Sequence, residues 1–248
     1  MNKELLEYFD GDELAAPVWL RKYALEGEIT PDDMHKRMAK DFYRVDKNYQ
    51  NKEESRYMSM SVEKTSNLSK YGYRRLDLTE SDIYNFFKDF KYIVPQGSIM
   101  SQLGSPSIGS LSNCFVAGQP HDSYGGIMQK DQELVQLMKR RGGVGLDLST
   151  LRPAGTNTTN AAQSSTGAVS FMERFSNSTR EVAQNGRRGA LMLSIDVRHP
   201  DVADFVTIKN DETKVTGANI SVFLRDDFMK AVGDDNDYHL TFPCELEL

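Results

Sequence analysis

Arg140-Arg141-Gly142-Gly143-Val144-Gly145-Leu146-Asp147-Leu148-Ser149-Thr150-Leu151-Arg152-Pro153-Ala154-Gly155 is the densest unusual segment of the chain. It reads as the basic end of a helix, a glycine turn, a short strand, and an arginine entering a loop. Adjacent glycines let a ligand approach the backbone closely, and the planar fork of Arg152 suits phosphate oxygens. Neither a Gly-Lys-Ser/Thr phosphate loop nor a dinucleotide fingerprint is present. On the residues alone two readings stand side by side: a phosphate-binding turn, or a structural turn carrying a surface arginine.

Outward from this segment, short apolar runs alternate with helical patterns. Cys114-Phe115-Val116, Val144-Gly145-Leu146, Ala190 to Ile195 and Ile220 to Leu224 read as strands. Ala168, Met172, Phe175, Thr179 and Val182 fall on one helical stripe. This alternation predicts an α/β arrangement with a largely parallel sheet. Pro153 to Thr166 is polar and without periodicity, a loop either functional or loose. Gln184 to Gly189 is a shorter loop whose Arg187 and Arg188 either read an anionic or heterocyclic ligand or are simply solvated. Cys114 is either a small buried hydrophobe or a redox thiol that needs a second thiol nearby.

Toward the N-terminus the texture is helical. Thr30 can cap Pro31-Asp32-Asp33, with Met34, Met38, Phe42 and Val45 on one stripe. Thr79 with Asp82 marks a second start, followed by Ile83, Phe86, Phe87 and Phe90 at core spacing. Gly/Ser-rich turns begin near Ile93. Residues 1–95 are therefore expected to form a helical domain and 96–248 an α/β domain.

The 248 residues carry 30 Lys+Arg against 36 Asp+Glu, a formal net charge of −6, which provides no electrostatic footprint for duplex DNA. No run of apolar residues is long enough for a membrane span, and Met1-Asn2-Lys3-Glu4 does not open a secretory segment, so a cytoplasmic location is expected. Two cysteines, Cys114 and Cys244, and scattered histidines exclude a disulfide framework and a zinc site, and no metal is expected. A plain thiol oxidoreductase is disfavoured by the absence of Cys-x-x-Cys.

Seven segments occur in the order seen in the large, catalytic subunit of ribonucleotide reductase: Ser112-Asn113-Cys114-Phe115-Val116, Asp122-Ser123, Gly142-Gly143-Val144-Gly145, Leu151 to Gly155, Arg187-Arg188-Gly189-Ala190, His199-Pro200-Asp201 and Asn219-Ile220-Ser221-Val222. The chain resembles that subunit from about Gly97 to Val232, and its helical start resembles the variety without an N-terminal ATP-cone. The resemblance implies an N-terminal helical domain followed by the first half of a ten-stranded α/β barrel, made of two five-stranded halves. It implies radical chemistry on the ribonucleotide 2′-hydroxyl, with Cys114 one of the cysteine pair that supplies electrons.

By the same resemblance Gly97, Ser98, Asn113, Gly142 and Gly143 contact substrate. Asp122, Ser123, Tyr124 and Arg152 bind a specificity effector, a deoxynucleoside triphosphate or ATP, and Gln184, Arg187 and Arg188 belong to the loop relaying its identity. The helices near Ile127 to Met138 and Ala168 to Val182 imply a homodimer through the effector site. The implied partners are the remaining part of the catalytic subunit, a radical-generating small subunit, and thioredoxin or glutaredoxin through that remaining part; no cofactor is bound directly by this chain.

The sequence also departs from the family. The second redox cysteine, the radical cysteine and the C-terminal cysteine pair have no counterpart here, Cys244 matches no motif, and Thr158-Thr159 stands where a further arginine is expected. The expectation is thus one part of a split or truncated catalytic subunit. The alternative is a non-catalytic nucleotide-binding regulatory module.

Overall fold

The computed structural model describes residues 2–57, 78–184 and 187–244. The chain separates into two compact units, Met1–Leu111 and Ser112–Leu248. The division falls later than the change in sequence texture near Ile93 because residues 97–103 pack with the helices: Leu103 is buried there, with Ile99 and Met100 against the same core.

The first unit comprises α1 (Lys3–Tyr8), α2 (Ala15–Lys22), α3 (Pro31–Tyr57), α4 (Glu80–Phe87) and α5 (Gly97–Gln102). Thr79 and Asp82 form the expected capping box at α4. At α3 the bond runs the other way from the simple cap: the backbone N–H groups of Ile29 and Thr30 donate to Asp33 Oδ2 at 3.0 and 3.1 Å. The expected α3 stripe is buried at Met34 and Met38 and emerges at Phe42 and Val45, where Phe42 stacks on Phe87 instead.

The second unit builds β1 (Cys114–Val116), α6 (Tyr124–Met138), β2 (Gly143–Asp147), α7 (Ala168–Glu181), β3 (Ala183–Gln184), β4 (Arg187–Arg188), β5 (Leu191–Asp196), α8 (Val202–Thr207), β6 (Ala218–Phe223) and α9 (Asp226–Gly233). The main sheet has the order β1-β2-β5-β6 and every pairing in it is parallel, as the alternation of strands and helices predicts. Four strands stand among the described residues where the resemblance implies five. The segment after α9 adds a backbone hydrogen bond from Thr241 to the Arg198 carbonyl but no strand.

Alternation along the strands gives the sheet two unlike faces. Val144, Leu146, Leu191, Leu193 and Ile195 point to one face and are buried with Leu134, Met138, Met172, Phe175 and Phe205 from α6, α7 and α8. The opposite face carries Cys114 and Val116 on β1, Gly143 and Gly145 on β2, Met192 on β5 and Asn219 on β6. No helix covers this second face among the described residues: Val116 is 90% exposed and Met192 41%. Among the described residues no helix is long and apolar enough to cross a membrane.

Candidate functional site

Cys114 is the first residue of edge strand β1 and pairs with Gly143. Its thiol is free and exposed on the open face, which excludes the buried-hydrophobe reading. A cavity of about 560 Å³ opens over the N-terminal ends of all four parallel strands, lined by Cys114, Val116, Gly143, Gly145, Ala190, Met192, Thr216 and Asn219 among others.

The two glycines of the turn before β2 are glycine for different reasons. A Cβ at Gly142 would lie 2.6 Å from the Phe115 ring and 3.2 Å from the Leu137 carbonyl, so packing forbids it. A Cβ at Gly143 would meet nothing closer than 3.4 Å, so there the missing side chain keeps the surface beside Cys114 bare. Gly143 lines the cavity and Gly142 does not. The left-handed residue of the turn is Arg141 (φ 73°) rather than either glycine.

Asn113 immediately precedes the cysteine, and its carbonyl accepts the Gly143 N–H at 2.7 Å, fixing the register that puts Cys114 opposite Gly143. Gly97 and Ser98 open α5 in the first unit; Ser98 is buried, and a Cβ at Gly97 would press on the Tyr23 ring at 3.2 Å.

A second cavity, of about 240 Å³, lies between the start of α6 and the loop after Arg152. All four residues expected at the effector site line it: Asp122, Ser123, Tyr124 and Arg152, joined by Thr158, Thr159, Asn160 and Phe171 among others. Asp122 and Arg152 hold each other. Arg152 Nε donates to Asp122 Oδ2 at 2.7 Å, and the Arg152 backbone N–H donates to Oδ1 at 3.2 Å. The carboxylate thus orients the guanidinium. Ser123 caps α6 by accepting the Gly126 N–H at 3.0 Å, and Tyr124 packs edge-on to Phe171. The unpaired N–H groups of the first turn of α6 and the arginine together favour an anion.

The loop's two ends are fixed by one buried carboxylate. Asp201 accepts the Ala154 N–H at 3.0 Å and the Ala168 N–H at 2.8 Å. His199, fully buried, accepts the Asp201 N–H on Nδ1, which leaves Nε2 as the donor to the Leu151 carbonyl at 2.7 Å. The His199-Pro200-Asp201 motif is therefore a clamp holding the loop to the sheet.

The segment expected as a relay loop is a two-stranded antiparallel ribbon: Ala183 pairs with Arg188 and Gln184 with Arg187. Backbone pairing between these residues overrides the loop reading. Asn185 and Gly186 lie outside the described residues.

Cys244 is buried, free and beside the Asp196 carboxylate; burial first, then that charge, pushes its thiol up to about 11. Asp196 in turn pairs with Arg225, with Nε and Nη2 at 2.8 and 2.7 Å from Oδ2. Asp196 ends β5, whereas Cys114 begins β1 at the opposite end of the parallel strands. Six residues of strand separate those levels, about 20 Å along the strands, so the two thiols do not form a pair. No cluster of metal-ligating side chains occurs among the described residues.

The family model for the ribonucleotide reductase barrel domain matches residues 112–248, the whole of the second unit. This chain belongs to the ribonucleotide reductase family. A vitamin B12-dependent ribonucleoside-diphosphate reductase of Mycobacterium tuberculosis is 35% identical over 138 residues, 55% of this chain and 20% of the relative. One from Thermoplasma acidophilum is 34% identical over 152 residues, 60% of this chain and 20% of the relative. Ribonucleoside-diphosphate reductase large chain 2 of Saccharomyces cerevisiae is 28% identical over 179 residues, 68% of this chain and 20% of the relative. The chain spans about one fifth of the length of these reductases. The mixed helical and parallel-sheet fold is that of a partial reductase barrel.

Residue-type reasoning missed Met192, Thr216 and Asn219, which line the first cavity. The signal was available: Met192 and Asn219 fall in the same pairing row as Gly145 and Val116, alternating with apolar residues that face the helices.

Proposed function

We propose that this chain is one part of the catalytic subunit of a ribonucleoside-diphosphate reductase, completed by a second chain or segment that supplies the radical cysteine. The observation that carries the reading is the Cys114 thiol, exposed at a strand end opposite Gly143 over an open cavity, within the region matching the reductase barrel. Cys114 and a partner thiol from the remaining part supply two hydrogens. The substrate 2′-hydroxyl leaves as water, a C–H bond takes its place, and the two sulfurs close to a disulfide. Thioredoxin or glutaredoxin then reopens that disulfide, and a radical-generating subunit starts and recovers the radical.

The second cavity takes the effector nucleotide, a deoxynucleoside triphosphate or ATP, with Arg152 and the start of α6 toward phosphate and the Ser/Thr-rich loop toward the remainder. Helices α6 and α7 form the dimer face beside it. In the assembled enzyme Asn113 and Gly143 contact the substrate, and the β3–β4 ribbon relays the effector's identity.

The test combines the chain with the remainder of the catalytic subunit and a radical generator and measures deoxyribonucleotide formation from CDP. Activity that falls to background in Cys114→Ser supports the reading. Effector binding without any complementing activity makes the chain a non-catalytic nucleotide-binding module instead.

A further inference from the structure

The cavity over Cys114 contains one polar side chain with nothing to do. Among its lining side chains the Thr216 hydroxyl already accepts from Arg180 Nη1 at 2.5 Å, whereas the exposed Asn219 amide makes no hydrogen bond among the described residues. The surface between Asn219 and the cysteine is bare at Gly143 and Gly145 and apolar at Met192. Asn219 stands on β6 and Cys114 on β1, with β2 and β5 between them. Three strand spacings sideways and two residues along the strands put them about 16 Å apart, room for a nucleoside with a contact at each end and its ring over Met192.

We propose that Asn219 is a base-contacting residue, hydrogen-bonding the edge of the substrate base while Cys114 faces the sugar. The inference rests on reading this cavity as the substrate site. A carboxamide offers a donor and an acceptor from one position, and a half-turn about its last torsion exchanges them. It therefore meets the amino group of cytosine or the carbonyl of uracil equally well, as one site serving several bases requires. An aspartate there accepts only, so it keeps the cytosine contact and loses the uracil one.

The experiment follows alkylation of Cys114 in the chain supplemented with the rest of the catalytic subunit, using CDP and UDP as protecting probes. Both nucleotides slow alkylation of the unaltered protein. Asn219→Asp leaves the CDP concentration for half-protection nearly unchanged and raises that for UDP about tenfold, whereas Asn219→Ala raises both by a similar factor. Continued slow labelling of buried Cys244 confirms in the same samples that each variant is folded. If both variants are protected by both nucleotides as well as the unaltered protein is, Asn219 does not read the base, although the cavity still binds nucleotide. If neither nucleotide protects the unaltered protein, the substrate-site reading itself fails and the inference with it.

Discussion

The two faces of the β1-β2-β5-β6 sheet share one backbone and carry opposite chemistry. On the helix side Val144, Leu146, Leu191, Leu193 and Ile195 are all buried, interlocked with Met172 and Phe175. On the other side the same strands present two glycines, a free thiol, an exposed methionine and an exposed asparagine. The difference separates what makes the unit fold from what it holds. Stability is concentrated on one side, which leaves the residues of the other side free of core packing.

The comparison breaks most readily under truncation. Phe175→Ala is expected to destabilise the second unit by about 3–5 kcal/mol, because a fully buried ring leaves a cavity that α7 and the sheet cannot close. Met192→Ala, on the open face, is expected to cost less than about 1 kcal/mol. Urea denaturation followed by circular dichroism reads both; similar losses would mean that the open face is part of the folding core.

Thiol reactivity sharpens the contrast next. With iodoacetamide at pH 8, Cys114 should react at least on the order of 100 times faster than Cys244, whose burial and raised pKa of about 11 leave little thiolate. Peptide mass spectrometry over a time course measures the ratio, and comparable rates would show that Cys244 is not held as described.

Asp201→Ala tests the clamp behind the second cavity. It strips the partner from two backbone N–H groups and is expected to lower stability by about 2–3 kcal/mol. Proteolysis within residues 154–167 should quicken at the same time; an unchanged cleavage pattern would mean that the loop holds itself.

The smallest effect belongs to a closed core elsewhere, in the helical unit. His35 is fully buried, neither ring nitrogen has a hydrogen-bond partner among the described residues, and burial holds its pKa below the ordinary histidine value. The nearby Asp32 and Asp89 charges pull the other way and do not overcome it. Protonation therefore favours the unfolded chain: this contribution is complete above about pH 6.5 and shrinks as pH falls below it. Between pH 7 and 5.5 the unaltered protein should lose more stability than His35→Leu does. Parallel curves for the two proteins would remove His35 as the source.

Much of this was readable from residues because it depends on local pattern. The stripe Ala168, Met172, Phe175 and Thr179 is buried on α7 as its spacing requires, and all four expected strands form. The four residues expected at the effector site share one cavity, although no spacing rule indicated that Asp122 and Arg152 would be each other's partner across thirty residues. Features set by tertiary contact were not readable. Gly142 and Gly143 look alike in sequence, and the Phe115 ring and the Leu137 carbonyl distinguish them. The Arg187-Arg188 segment reads as loop by composition and is drawn into a ribbon by pairing with Ala183-Gln184.

One carboxylate tied to both Ala154 and Ala168 turns the stretch between them into a cassette with fixed endpoints. The thirteen positions between them form a loop whose two ends stay in register with the strands through that acid. The rim of the second cavity thereby depends on a side chain that lines none of it.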